Sequence, residues 1–227
     1  MTEIVTGIHY VDGSNANCYL IEQDDGSLTL VDAGMQPDGK KVIEYATKTM
    51  KKQPSDLKTI VLTHCHVDHV RGAAAVKAAT GAKVEAHQAE ADYISGVTQY
   101  PRPGGATGVL FGLISPFFNS KPVQVDVRLA QGDPVGGFSV VHTPGHTPGS
   151  IALHDPKSRV LFVGDTARYI KGKLVGPPPH FTPDMKAAKA SLARLSALDF
   201  EVLLSGHGDP LRSKDAPKMV KDLSEKL

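Results

Sequence analysis

Short apolar runs, divided by Gly, Pro and Asp, predict an alternation of strands and helices along most of this chain. Asn17-Cys18-Tyr19-Leu20-Ile21-Glu22 and Ser27-Leu28-Thr29-Leu30-Val31 flank Gln23-Asp24-Asp25-Gly26, and Asp-Gly between apolar runs is a hairpin signal, so the first 34 residues read as β-structure. From Asp38 to Lys52, Val42, Ile43, Tyr45, Ala46 and Met50 fall at spacings that suit one helical face. A strand at Thr59–Leu62 follows, then an Ala-rich helix over Gly72–Ala79, a strand at Ala82–Ala86 and a helix over Gln88–Ile94.

Residues 96–122 break the rhythm. Pro and Gly are interleaved there with Tyr100, Leu110, Phe111, Phe117 and Phe118, which suits a loop that covers a pocket or forms a subunit contact. Strands return at Phe138–Thr143, Ser150–His154 and Arg159–Val163, the last two divided by the turn Asp155-Pro156-Lys157-Ser158. A helix over Pro183–Leu198 with Thr182 as its N-cap, a strand at Phe200–Leu204 and a helix after Ser213 complete the pattern. Each half is therefore a set of strands followed by strand-helix units, and one domain over 1–227 is expected.

The chemistry is concentrated at Thr63-His64-Cys65-His66-Val67-Asp68-His69, where three imidazoles and a carboxylate occupy six positions directly after a buried-strand signal. In extended chain, side chains alternate, so His64 and His66 project to one side and can share an ion. Asp68 and His69 fall where the chain turns toward the next helix, and can face a second ion. Three later places set a Gly-flanked ligand where the backbone leaves a strand: His146 in Thr143–Ser150, Asp165 in Val163-Gly164-Asp165-Thr166, and His207 in Leu204–Gly208. Sheet ends are where mixed α/β proteins place their chemistry.

In this order the chain resembles the metallo-β-lactamase superfamily, whose pattern His-x-His-x-Asp-His, then His, Asp and His, is matched by His64, His66, Asp68, His69, His146, Asp165 and His207. The resemblance runs from Asn17 to His207. It implies an α/β fold, a four-layer αβ/βα sandwich with two mixed β-sheets and a metal site along one edge. It further implies that His64, His66 and His146 hold one divalent ion, that Asp68, His69 and His207 hold another, and that Asp165 bridges them. Asp32, in Val31-Asp32-Ala33-Gly34, matches the family's earlier Asp and is expected to orient a ligand. Imidazole and carboxylate suit zinc, with iron or manganese as alternatives.

Two such cations would lower the pKa of a shared water, so the expected reaction is attack of hydroxide on an ester-type carbonyl. Asp68 is expected also to shuttle the proton to the leaving group. The motifs around His146 and Asp165 look like the glyoxalase II and lactonase side of the superfamily, which favours a thioester or a lactone. Only twenty residues follow His207, short of the helical extension with which glyoxalase II binds glutathione. Lactonases of the family carry a Tyr just after the bridging Asp, and Tyr169 stands near that place. His180, in Pro177-Pro178-Pro179-His180-Phe181, joins Phe111, Phe117 and Phe118 as an expected pocket residue. A mononuclear-iron persulfide dioxygenase, a phosphodiesterase or nuclease, and a β-lactamase are the alternatives within the same superfamily.

Composition narrows partners more than chemistry. Lys and Arg number 25 against 24 Asp and Glu, so no global charge favours nucleic acid or an anionic membrane. Neither a leader-type start nor an apolar stretch long enough to span a membrane is evident, and a cytoplasmic protein acting on a small molecule is expected. Val109–Phe118 offers a contact for a homodimer. Cys18 and Cys65 make no zinc-knuckle pattern, and Cys65 should point away from the ligands as a small buried residue.

Overall fold

The computed structural model describes residues 2–11, 13, 15–98 and 121–227. In these, strands β1 (Thr2–Val5), β2 (Ile8–Val11), β3 (Cys18–Glu22), β4 (Leu28–Val31), β5 (Leu57–Leu62), β6 (Lys83–His87) and β7 (Val127–Leu129) form one sheet in sequence order. It is antiparallel from β1 to β4 and parallel from β4 to β7. A second mixed sheet runs in the order β15-β14-β11-β10-β9-β8, built from β8 (Pro134–Val135), β9 (Phe138–His142), β10 (Ile151–Asp155), β11 (Val160–Gly164), β14 (Val202–Ser205) and β15 (Leu211–Arg212). β12 (Arg168–Ile170) and β13 (Lys173–Val175) pair only with each other.

The two-residue period of the strands sorts side chains into layers. Tyr19, Ile21, Val31 and Val61 of the first sheet meet Val140, Ile151, Leu153, Phe162 and Leu204 of the second in the central core. The alternate residues Leu20, Leu30, Ile60, Leu62 and Val84 face outward, where α1 (Gln36–Glu44), the short α2 (Val67–Val70), α3 (Ala73–Thr80) and α4 (Gln88–Ile94) cover them. On the far side Leu161, Val163 and Leu203 lie under α5 (Met185–Leu195) and α6 (Ala216–Lys226). Helix, sheet, sheet, helix is the αβ/βα sandwich that the motif order implies. β5, parallel to both its neighbours, and β11, parallel to β14 and antiparallel to β10, each lie between a core and a helix layer, which explains why they read as continuous apolar runs.

Several boundaries differ from the pattern reading. The helix expected over 38–52 begins at Gln36 and gives way to a π turn over Tyr45–Thr49, where the Met50 N–H reaches the Tyr45 carbonyl at 3.1 Å. Val42, Tyr45 and Ala46 stay buried through the change. The helix expected over 183–198 spans Met185–Leu195, and Asp184 caps it by accepting from the Ala187 N–H at 2.8 Å. Thr182 is therefore free of the capping role assigned to it. The β12–β13 hairpin was not legible, because its turn, Lys171-Gly172, adopts positive φ at both positions without the usual Asn or Asp ahead of Gly. Most of segment 96–122, with Phe111, Phe117 and Phe118, lies outside the described residues. Among the described residues no helix is long and apolar enough to cross a membrane.

Candidate metal centre

β4, β5, β9, β11 and β14 all end at one edge of the sandwich, and their carboxyl ends carry Asp32, His64–His69, His146, Asp165 and His207 in that order. Backbone bonds hold the two sheets together there: Ile151 N–H donates to Thr63 O at 3.0 Å, and Asn17 N–H to Gly206 O at 2.7 Å. His64 lies in the bend that follows β5 and His66 is on extended backbone, whereas Asp68 and His69 sit on α2, the turn expected after the motif.

All seven expected ligands converge. Single ligand atoms of His64, His66 and His146 lie within 4.8 Å of one another, as do those of Asp68, His69 and His207, and those of His64, His69 and Asp165. Asp165 touches both trios: its Oδ2 is 3.6 Å from His146 Nε2 and 3.3 Å from His207 Nε2, and its Oδ1 is 3.5 Å from His69 Nε2. Gly206 lets the strands approach this closely, since a Cβ there would fall 2.4 Å from Asp165 Oδ1 and 2.5 Å from His69 Cε1.

The hydrogen bonds around the imidazoles fix which nitrogen faces inward. Asp32 Oδ2 accepts from His69 Nδ1 at 2.7 Å and from the Thr63 hydroxyl at 2.8 Å, while its Oδ1 accepts from Thr63 N–H at 2.8 Å. The Thr63 hydroxyl proton is thus committed to Asp32, and its oxygen receives His64 Nδ1–H at 3.0 Å. Thr182 repeats the device: its hydroxyl donates to Pro178 O at 2.8 Å and accepts from His146 Nδ1 at 3.2 Å. His207 Nδ1 donates to Asn15 O at 2.7 Å. With Nδ1 engaged outward in each case, Nε2 is the nitrogen turned toward the other ligands, the atom a metal would bind.

His64 Nε2, His69 Nε2, His146 Nε2 and Asp165 Oδ1 are buried and have no hydrogen-bond partner among the described residues. Buried polar atoms are almost always paired, so four orphans converging on one point, all metal-donor types, fit cations between them.

Charge divides the centre. Burial, and then the neighbouring imidazoles, hold His64 well below the ordinary histidine range; burial and His69 take His66 down to about 4, and burial takes His146 to about 3. Burial also works against charge on His69 and His207, but it is outweighed. Asp32 and Asp165 lift His69 well above its ordinary value, and hydrogen bonds to Asp165 and Asp68 raise His207 to about 9. Asp68 sits at about 2 despite its burial, because His207 donates to it. Asp165 is likewise held ionised by His69 and His207 against its burial.

The centre opens on one side. His64, His69, His146 and Asp165 are buried, whereas the Asp68 and His207 side chains keep 26% and 24% of their surface, and His66 is half-buried. Phe181, 60% exposed, stands with its ring 6.5 Å from that of His66. The sequence reading singled out its exposed neighbour His180 instead; an isolated Phe in a Pro-rich stretch carries no signal of its own. The structure places the Tyr169 ring against the apolar cluster under α5 and α6, outside the His/Asp groups, and its carbonyl accepts from Asp209 N–H at 2.8 Å. Asn17, read only as the start of a strand, donates through Nδ2 to Ser205 O at 3.0 Å and Gly208 O at 2.8 Å, bracketing His207. Cys65 turns into the first-sheet core, and burial pushes its thiol upward. His142 stacks on His87 at 4.1 Å and donates to Pro148 O, and His154 donates to Asp199 O, so both brace backbone.

Comparison with known proteins follows the same outline. A probable metallo-hydrolase, YflN of Bacillus subtilis, is 32% identical over 247 aligned positions that cover 99% of this chain and 92% of that one. A hydroxyacylglutathione hydrolase of Cereibacter sphaeroides is 33% identical over 166 positions, 70% of this chain but only 52% of the relative. Among solved structures, TTHA1623 in a di-iron-bound form superposes with a TM-score of 0.71 at 27% identity, covering 97% of this chain and 99% of that one. The subclass B3 enzyme BJP-1 of Bradyrhizobium japonicum shares the fold at a TM-score of 0.74 and 24% identity, over 99% and 90% of the two chains. The family model described as the metallo-beta-lactamase superfamily matches residues 11–207, a span that begins before Asp32 and closes on His207; the chain belongs to that superfamily.

Proposed function

We propose that this protein is a dinuclear metal-dependent hydrolase that cleaves an ester-type carbonyl, a thioester or a lactone, on a small molecule. The observation that carries the reading is the pair of trios sharing Asp165, with three imidazole Nε2 atoms and a carboxylate oxygen left unpartnered in the interior. His64, His66 and His146 would hold one ion, Asp68, His69 and His207 the other, and Asp165 both. A structural zinc is normally closed by four ligands, often thiolates; here no thiolate takes part and the ligand set faces solvent on one side. Two divalent ions, zinc by ligand type, would lower the pKa of water held between them and polarise the carbonyl under attack.

The chain's own residues supply the rest. Asp32, Thr63, Thr182 and Asn15 hold the imidazoles by Nδ1 with Nε2 turned inward before any ion arrives, so binding needs no ring rotation, only the loss of protons from His69 and His207. Asp68 would take up a proton and pass it to the leaving group, a role supported by its being ionised and open to solvent. Phe181 provides an apolar wall beside His66 for the acyl or ring carbons. Similarity to a hydroxyacylglutathione hydrolase supports the thioester, and a di-iron neighbour keeps iron as the alternative metal.

A substrate panel on protein of measured metal content tests the proposal: acyl thioesters, aliphatic lactones, β-lactams and phosphodiesters. Thioester or lactone turnover should exceed the others by about a hundredfold, a margin expected of a pocket built for one leaving-group class. His66→Ala should lose the ion of its own trio, Asp165→Ala should weaken both, and each should lose turnover with it. Full activity in either variant, or faster phosphodiester than acyl cleavage, would overturn the assignment.

A further inference from the structure

Glu90 belongs to neither trio, yet its side chain is completely buried, 0% exposed, on α4 directly behind the centre. Its two oxygens are both engaged. Oε2 accepts from the Cys65 N–H at 2.8 Å, and Oε1 accepts from the Gly149 N–H at 2.6 Å. Cys65 is the residue between His64 and His66, and Gly149 closes the loop that carries His146. One carboxylate therefore ties the two chain segments that bring the first trio together, and it does so through backbone, where position is set most rigidly. The fit admits no other residue at 149: a Cβ there would lie 2.5 Å from Glu90 Cγ, 2.9 Å from Oε1 and 3.0 Å from His87 Nδ1.

From these contacts we propose that Glu90 is the positioning residue of the His64–His66–His146 metal site, a clamp that sets the distance between the two histidine loops; this rests on the metal-dependent reading above. The residue type follows from the geometry. Two converging N–H donors need two acceptors on one group, which a carboxylate provides and an amide does not. A buried carboxyl is costly unless fully hydrogen-bonded, so placing one in this core for packing alone would be unfavourable. The second trio is held by other groups: Asp32 orients His69, and Asn15 and Asn17 hold the His207 loop. Loss of the clamp should therefore act on one metal site and spare the other.

The test compares wild type with Glu90→Gln, both stripped of metal and titrated with Co²⁺ while the absorption bands are followed, with His66→Ala and His207→Ala supplying the spectra of each site alone. Wild type should fill two sites. Glu90→Gln should fill the Asp68–His69–His207 site as wild type does, with affinity at the other site lower by about 10- to 100-fold, the usual effect of removing a group that orients metal ligands. Equal weakening of both sites, or no change at either, would overturn the role of Glu90 alone. A wild type that takes up no Co²⁺ would instead overturn the metal reading and this inference with it. Should Glu90→Gln fail to fold by circular dichroism, Glu90→Asp, which keeps two acceptor oxygens but is one methylene too short to reach both N–H groups, should show the same one-site loss.

Discussion

Asp32→Asn isolates what one carboxylate does for the centre. Asp32 sits at φ 57°, a left-handed conformation that Asn adopts almost as readily as Asp, so the substitution removes charge and an acceptor with little backbone strain. Its present oxygens meet three donors, two from Thr63 and one from His69. An Asn has one acceptor oxygen to offer. If that oxygen stays with the Thr63 N–H, the amide NH₂ faces His69 Nδ1–H, donor against donor. The imidazole then either keeps an unmet bond or moves its proton to Nε2, the atom that must bind metal. A hydrogen bond to a charged group contributes about 1.5–3 kcal/mol. Loss of an orienting partner costs about 10- to 100-fold in metal affinity, or about 1.4–2.7 kcal/mol, so the two scales agree. A second effect opposes the first: Asp32 raises His69, and without it the proton competes less with metal. The deficit should therefore widen as pH rises and proton competition fades for wild type as well. Competition titration against a chelator at about pH 6 and about pH 9 measures both effects, since proton linkage sets their sign. Affinity within about twofold of wild type at both pH values, less than 0.5 kcal/mol, would refute the role given to Asp32.

Thr182→Val, nearly isosteric, removes the acceptor of His146 Nδ1 and should lower metal affinity by about tenfold, measured by the same titration. Metal uptake near pH 7 should release protons from His69 and His207, whose values lie above the usual histidine range, and none from His66 or His146, at about 4 and about 3; calorimetry in buffers of different ionisation enthalpy counts them. In the metal-free protein His207, raised from 6.5 to about 9, stabilises the fold fully below pH 6.5, and that contribution should vanish as pH rises through about 9, which urea unfolding at stepped pH would follow. Phe162→Ala, emptying a fully buried site between the sheets, should cost about 3–5 kcal/mol in the same unfolding measurement.

What the chain discloses depends on how local the cause is. His64, His66, Asp68 and His69 are legible because one strand end and one turn present them together, and the two-residue period alone sets two of them on one side. His146, Asp165 and His207 are each weak signals, given meaning by their order and by the Gly beside them. Thr182, Asn17 and Glu90 leave no trace of their roles, since each acts on a residue brought near only by tertiary packing, 36 positions away for Thr182 and His146 and 59 for Glu90 and Gly149. The sheets were readable from the apolar runs of β3, β4, β5 and β11 and from the turn residues between them. The β12–β13 hairpin was not, because its turn takes its shape without the residues that usually mark it.

The spread of ligands over four strand ends has a consequence for how the protein acquires metal. Unfolded, the chain can offer an ion only the local His64–His69 cluster, because Asp165 and His207 come from β11 and β14 and meet it across the sheet interface. Docking of the second sheet on the first completes both sites at once, so ion binding adds its free energy to the docked state and almost none to the separated halves. During synthesis the metal would be captured late, after His207 has emerged, and chelation of the mature protein should loosen the contact between the sheets before it disturbs either sheet.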